Sequence, residues 1–337
     1  MKSYPFKRIL ITGGSGFIGS HFIEKIFNDY KDFEILNLDK MSYASSKKTN
    51  ELFSKSSNFH ILELDISDKN LLSKAFKDFQ PDLIINFAAE SHVDNSIEHS
   101  KDFIKSNIIG TYNLLEEVRT LYGSYENLLF HHISTDEVYG DLNLSEESFN
   151  EQNRYEPSSP YSSSKAASDL LVKAWGRTYG IPFLITNCSN NYGPRQHTEK
   201  FIPTIINNLL KGQKVPVYGD GRNIRDWLFV EDHIDAIFSL HNQGCINDVF
   251  NIGGNDEKLN IDLVHLIIEK VSGLNHLSID NNQIEFVKDR KGHDLRYSIN
   301  SEKLRKSTGW EPSVSFDTGI VKTIKWYIDN NDWWEKK

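Results

Sequence analysis

Two short stretches carry residue types able to move protons. The first, Ser134-Thr135-Asp136-Glu137, follows the apolar run Leu128-Leu129-Phe130, so it falls where a buried strand gives way to a loop. In open α/β sheets that carboxyl end of a strand is where ligands bind. The second is Tyr161-Ser162-Ser163-Ser164-Lys165, after which Ala166, Leu170, Leu171 and Ala174 recur at helical spacing. Tyr161 and Lys165 stand four apart and leave the same helix face. An ammonium beside a phenol favours the tyrosinate, a general base for an alcohol proton. Asp136 and Glu137 add a carboxylate pair, which serves as acid and base when its surroundings separate the two pKa values.

These residues need elements to hold them. Arg8-Ile9-Leu10-Ile11-Thr12 reads as a buried parallel strand, and Gly13-Gly14-Ser15-Gly16-Phe17-Ile18-Gly19 follows it directly. Phe22, Ile23, Ile26 and Phe27 then recur as a helix. Glycines let the backbone approach a pyrophosphate, whose charge the free N–H groups of the helix start stabilise. Both Gly14-x-Gly16-x-x-Gly19 and Gly13-x-x-Gly16-x-x-Gly19 are met, and the strand–glycine–helix order marks a dinucleotide site. A second strand over 34–38 ends in Asp39, about twenty residues beyond the glycines, where an acid bonds the adenosine ribose and disfavours a 2′-phosphate. NAD is therefore expected over NADP.

The alternation continues with a strand over 59–64, a helix around 71–76 and a strand over 81–87. The last delivers Ala88-Ala89-Glu90-Ser91-His92-Val93-Asp94. Small Ala88 and Ala89 allow close approach of a cofactor. Glu90, His92 and Asp94 suggest a metal cluster, but no matching Cys or His spacing supports one, and no metal is expected. A long amphipathic helix is expected over 97–121, and 146–156 is an acidic loop. Strand–helix alternation through Thr186 predicts an α/β fold built on a doubly wound parallel sheet. After Asn187 the chain becomes turn-rich, so the expected division is 1–187 for the cofactor and 188–337 mainly for substrate, with elements crossing back.

The net charge of −9 argues against a general nucleic-acid binder, so an anionic substrate must meet a local basic pocket. Lys200, Arg225, Arg290 and His293, all at turns or element starts, could form one, since arginine forks match phosphate oxygens. Cys188 and Cys245 make no disulfide framework, and a cytoplasmic location is expected. There is no apolar run of membrane-spanning length and no signal-peptide pattern, so no membrane partner is expected.

With these motifs the chain resembles the extended short-chain dehydrogenase/reductase family. Thr135-Asp136-Glu137 points to its nucleotide-sugar 4,6-dehydratase branch, over Arg8 to about Trp334. The resemblance implies a Rossmann-type sheet with a smaller C-terminal substrate-binding lobe. It implies NAD contacts from Gly13, Gly16, Phe17, Ile18, Gly19, Asp39, Lys40, Ser42, Asp65, Ile66, Ala88, Ala89, Ser91, Ser106 and Asn191, with Tyr161 and Lys165. Matching substrate positions are Ser91, Thr135, Asn190, Glu199, Lys200, Phe201, Pro216, Val217, Tyr218, Arg225, Asn260, Arg290 and His293. Tyr161 would then take the proton of the sugar 4-hydroxyl while hydride passes from carbon 4 to NAD, Glu137 would take the carbon 5 proton, Asp136 would protonate the departing 6-hydroxyl, and the hydride would return to carbon 6. Thr135 would bond the reacting oxygen, and Lys165 would bond the nicotinamide ribose and tune Tyr161.

The resemblance also implies a homodimer paired through the helices at 97–121 and 161–179. Its default base is thymidine, though uridine or another base would meet much the same contacts. Departures from the family pattern are Asn95 in place of Arg, Lys291 in place of Pro, and Ser45-Ser46-Lys47 in place of Gly-Asn-Leu. A 4-epimerase or decarboxylase on this fold would need Tyr161 and Lys165 but not the two carboxylates. A non-catalytic NAD sensor would keep the glycines and lose the catalytic residues.

Overall fold

A computed structural model of the chain describes residues 2–123, 128–275 and 281–334. The apolar run at its start is buried from both sides: Ile9 and Ile11 join one hydrophobic cluster and Leu10 the other. That is the signature of a strand inside a parallel sheet covered on both faces. The sheet has seven strands: β1 (Arg8–Thr12), β2 (Glu34–Asp39), β3 (Phe59–Glu63), β4 (Leu83–Asn86), β5 (Leu129–Thr135), β6 (Phe183–Cys188) and, later in the chain, β10 (Asp248–Ile252). All are parallel, in the order β3-β2-β1-β4-β5-β6-β10. The order reverses between β1 and β4, which opens a crevice at their carboxyl ends.

Helices Phe17–Asp29 and Val230–Asn242 supply Phe22, Ile26, Ile234 and Ile237 to one face. Helices Lys69–Phe79, Gly110–Leu121 and Pro160–Tyr179 supply Phe76, Leu114 and Val172 to the other. Phe130 is fully buried in this second layer, and truncating it to Ala would cost about 3–5 kcal/mol.

The strand at β10 and the helix before it belong to the main sheet, so the chain beyond 188 serves both lobes. The smaller lobe contains β7 (Asn190–Tyr192), β8 (Val215–Tyr218), β9 (Ile224–Phe229), β11 (Glu257–Leu259) and β12 (Ile284–Val287). Here β9 lies between β7 and β11, and β8 pairs with β12. Helices Phe201–Leu210, Asn260–Asn275 and Phe316–Asp329 close its own core around Ile205, Val217, Ile267 and Ile324.

One expected element is broken up. In place of a single helix over 97–121 there is Val93–Glu98, a break at His99, and Ser100–Phe103. A π-turn at Ile104–Ile109 then leads into Gly110–Leu121. The widened turn releases the Asn107 carbonyl to accept from Ser168 Oγ at 2.7 Å. The Asn107 side chain bridges the Glu90 backbone and Ser164. Gly110 lets this helix approach the loop after β3, because a Cβ there would lie 2.6 Å from Ile66 Cδ1.

Candidate active site

The glycine loop turns at Gly13, whose φ of +71° suits glycine; an added Cβ would come within 2.8 Å of the Ala88 backbone nitrogen. The loop is held from below by polar strand residues. Asn37 Oδ1 accepts from Gly14 N at 3.0 Å, and Asp39 Oδ2 accepts from Ser15 N at 3.0 Å. Gly16 caps helix Phe17–Asp29 with no side chain, leaving the first N–H groups free for an anion. Asp39 Oδ1 accepts from Met41 N at 2.9 Å and Ser45 Oγ at 2.7 Å. The altered segment is thus tied through Ser45 to the same carboxylate that sequence spacing assigned to the ribose, and its Lys47 opens helix Lys47–Phe53.

All of the expected cofactor residues line one cleft of about 280 Å³, from Gly13 and Asp39 through Asp65, Ile66, Ala88 and Ser106 to Tyr161, Lys165 and Asn191. The backbone cradle and the strand-end acid fit a dinucleotide. Thr135, Asp136 and Glu137 stand at the other end of the same cleft.

β5 carries Thr135 to its tip, and its hydroxyl accepts from Glu137 N at 3.3 Å to cap a single 3₁₀ turn, Asp136–Val138. Helix Pro160–Tyr179 begins with a Ser159/Ser162 capping box and Pro160 in its first turn, which places Tyr161 at the cleft. Asp136 is buried, with Oδ2 left without a partner, and burial pushes its pKa well above the usual range, with the charges of Glu137 and Asp226 adding to it. Glu137 is only partly buried. Its pKa is also raised by desolvation, but Arg225, Lys200 and Arg290 pull it back. The environments therefore push the pair apart, Asp136 toward the acid and Glu137 toward the base.

Tyr161 corrects an expectation. Burial raises its pKa well above 10, with further increases from Glu137 and Cys188 and a decrease from the Thr135 hydroxyl. Lys165 does not offset this: its Nζ donates to the Ile133 carbonyl at 2.8 Å, and burial draws its own pKa down to about 8. The Tyr–Lys pair alone does not make a tyrosinate.

Of the expected substrate residues, Ser91, Thr135, Asn190, Glu199 and Lys200 line the cleft; Phe201, Pro216, Val217, Tyr218, Arg225, Asn260, Arg290 and His293 do not. Lys200 Nζ donates to the Ser91 carbonyl at 2.5 Å, and Asn190 Oδ1 is buried without a partner. Arg290 pairs with Asp94 at 2.9 Å and lies over the Tyr218 ring, while Tyr218 OH donates to the same Asp94 oxygen at 3.2 Å. Arg225 gives its guanidinium to the carbonyls of Ile224, Asp294 and Leu295. His293 Nδ1 meets Asp289 at 2.7 Å. Phe201 stacks on Trp227, Asn260 opens a helix, and Pro216 and Val217 lie in β8, with Val217 facing the lobe core.

Several lining residues had no motif to reveal them. His197 sits edge-on between Tyr43 and Trp334, with ring centroids 5.4 and 4.7 Å away, and Gln196 and Cys188 also face the cleft. His92 caps the helix start, its Nδ1 accepting from the Asn95 backbone N–H at 3.3 Å, and Lys291 is exposed. No group of three or more His, Cys, Asp or Glu among the described residues could hold a metal ion, and no described helix is long and apolar enough to cross a membrane.

Fold and cleft together define a Rossmann-type enzyme of the extended short-chain dehydrogenase/reductase kind, with a carboxylate pair added to the Tyr–Lys pair. The family model described as GDP-mannose 4,6 dehydratase matches residues 10–323, and the chain belongs to that family. It is 47% identical to the dTDP-glucose 4,6-dehydratase of Haemophilus influenzae, over 96% of this chain and 98% of the relative. Identity to dTDP-glucose 4,6-dehydratase 1 of Escherichia coli K12 is 45%, over 97% and 94%. Among solved structures, the Streptomyces venezuelae dTDP-glucose 4,6-dehydratase with NAD bound superposes with a TM-score of 0.90 at 39% identity, covering 97% of this chain and 99% of that one. UDP-glucose 4-epimerase of Thermotoga maritima shares the fold at TM-score 0.83 and 25% identity, covering 96% and 99%.

Proposed function

We propose that this chain is a hydro-lyase that converts dTDP-glucose to dTDP-4-keto-6-deoxyglucose with NAD as a recycled cofactor. The observation that carries this reading is the pair Asp136 and Glu137 at the cleft beside Tyr161, their pKa values shifted to different extents. A 4-epimerase has no use for two such carboxylates. The 45–47% identity to named dTDP-glucose dehydratases along nearly the whole chain supports the nucleotide and the sugar.

NAD, when bound, supplies a site for the hydride that leaves carbon 4 and returns to carbon 6. Gly13, Gly16 and Gly19 would hold its pyrophosphate, Asp39 its adenosine ribose, and Lys165 the ribose near the reacting ring. Tyr161 would take the proton of the sugar 4-hydroxyl in its ionised form, which the positive charge of a bound NAD would favour against the cost of burial, and Thr135 would steady that oxygen. The ketone so formed acidifies the carbon 5 proton, which Glu137 removes. Asp136, kept protonated by its burial, gives its proton to the 6-hydroxyl as water departs. Arg225, Arg290 and His293 serve the diphosphate once it displaces their internal partners.

The main lobe holds the cofactor and the smaller lobe the sugar nucleotide. The protein acts as a cytoplasmic homodimer. Ile104, Ile109 and Tyr112 on one helix and Leu170 and Tyr179 on another are exposed, apolar and suited to pairing with a second copy. Both cysteines are free, as a reducing compartment requires. The test is incubation with dTDP-glucose and NAD, followed by mass spectrometry. Loss of one water is expected; a product of unchanged mass would replace this reading with an epimerase.

A further inference from the structure

Asp169 has no part in the chemistry above, yet it lies one helical turn beyond Lys165 and is fully buried. A buried carboxylate is costly unless its surroundings demand the charge. Here they do. Its Oδ2 accepts from Ser134 Oγ at 2.9 Å and from Asn187 Nδ2 at 3.4 Å, and the Tyr155 hydroxyl donates to it as well.

His132 lies beside the other oxygen, Oδ1, which accepts no hydrogen bond among the described residues. Asn86 Oδ1 accepts from Thr12 Oγ1 at 2.6 Å, which orients the Asn86 amide so that Nδ2 donates to His132 Nδ1 at 3.1 Å. The ring proton is then on Nε2, and Nε2 lies 3.4 Å from Asp169 Oδ1. Lys165 Nζ is 3.3 Å from that same nitrogen and finds no acceptor there. Its hydrogen-bond acceptor is the Ile133 carbonyl, and its compensating negative charge is Asp169.

We propose that Asp169 is a positioning residue: its carboxylate keeps Lys165 charged, and the buried chain Thr12–Asn86–His132–Asp169 ties that charge to the strand that carries the glycine loop. The titratable groups packed around it are Lys165 and Lys173 on its own helix, His132 on β5, Tyr139 after the 3₁₀ turn, Tyr155 on the acidic loop, and Cys188 on β6. Burial holds the Cys188 thiol up at about 12, so it brings no charge at working pH. Asp169 is therefore the group whose loss lets the Lys165 pKa fall further.

The proposal rests on the roles given to Tyr161 and Lys165, and the experiment separates the two. In the holoenzyme, the alkaline limb of kcat/KM is measured for the wild type, Asp169→Asn and Asp169→Glu. Asp169→Ser, which leaves room for water among the same donors, is the second neutral variant. Removing a neighbouring opposite charge moves a buried group's pKa by about one unit or more. Both neutral variants should shift the limb to lower pH by that amount, losing roughly tenfold more activity at pH 8 than at pH 6, and Asp169→Glu should restore its position. A loss by one factor at every pH, with the limb unmoved, would overturn the proposal and leave Asp169 a packing residue. Full activity of Lys165→Met would instead overturn the underlying reading.

Discussion

The cofactor site and the expected substrate site are built differently. The cofactor site is made of backbone and strand ends: the Gly13 turn, the free helix start, Asp39 and the small Ala88-Ala89 wall, all lining one space. The expected substrate site draws its basic residues from separate elements, only Lys200 among them lining the cofactor cleft, and each of these side chains is already partnered within the chain. Arg290 has Asp94, Arg225 has three carbonyls, His293 has Asp289 and Lys200 has the Ser91 carbonyl. A backbone site is preorganised and open; a side-chain site at rest satisfies itself and must exchange partners to bind. The cationic residues also reach the chemistry, because Arg225, Lys200 and Arg290 oppose the rise that burial gives the Glu137 pKa.

The largest effects belong where the two sites meet. Tyr161→Phe, Asp136→Asn and Glu137→Gln should each lower kcat by about a hundred- to ten-thousand-fold. They should stop at different points. Tyr161→Phe should show neither near-ultraviolet absorbance from reduced cofactor nor solvent deuterium at carbon 5. Asp136→Asn should build up that absorbance in stopped flow, and Glu137→Gln should build it up while losing the deuterium. Near-normal dehydration by either carboxylate variant would make them ordinary loop residues.

Smaller effects sharpen the contrast itself. Arg290→Ala should raise KM by roughly 10- to 150-fold with little change in kcat, since charge-assisted hydrogen bonds contribute about 1.5–3 kcal/mol; a fall in kcat alone would put Arg290 in the chemistry. Raising the pH should lower kcat/KM about tenfold per unit above about 8. Lys165 is protonated below that value and neutral above it, and the reaction needs the charge. Asp39→Ala should weaken NAD by about two- to tenfold, the worth of one or two hydrogen bonds, and narrow the preference over NADP; equal NADP binding by the unmodified protein would remove this role. Asp94→Asn should act in the opposite direction to Arg290→Ala, lowering KM by at most about fivefold, because a half-exposed ion pair contributes about 0–1 kcal/mol.

From the amino-acid order alone came everything that depends on local spacing. Strand, glycine loop and helix at 8–29, the acid at 39, the carboxylate pair at a strand end and Tyr161 four before Lys165 all read directly, because backbone geometry sets those distances within a few residues. So did the parallel sheet, since a strand buried on both faces is a continuous apolar run.

What tertiary structure decided was where charge is balanced. The π-turn at Ile104–Ile109 exists because Asn107 must reach Glu90, Ser164 and Ser168 together, three partners that no helical period records. The phenol of Tyr161 sits above its usual pKa rather than below it, because burial outweighs the neighbouring lysine, whose ammonium is turned to Ile133. The +4 spacing from Lys165 to Asp169 was visible in the sequence, but its meaning was not. Desolvation and hydrogen bonding depend on every group that folding brings near, and His132, Ser134 and Asn187 arrive there from strands far along the chain.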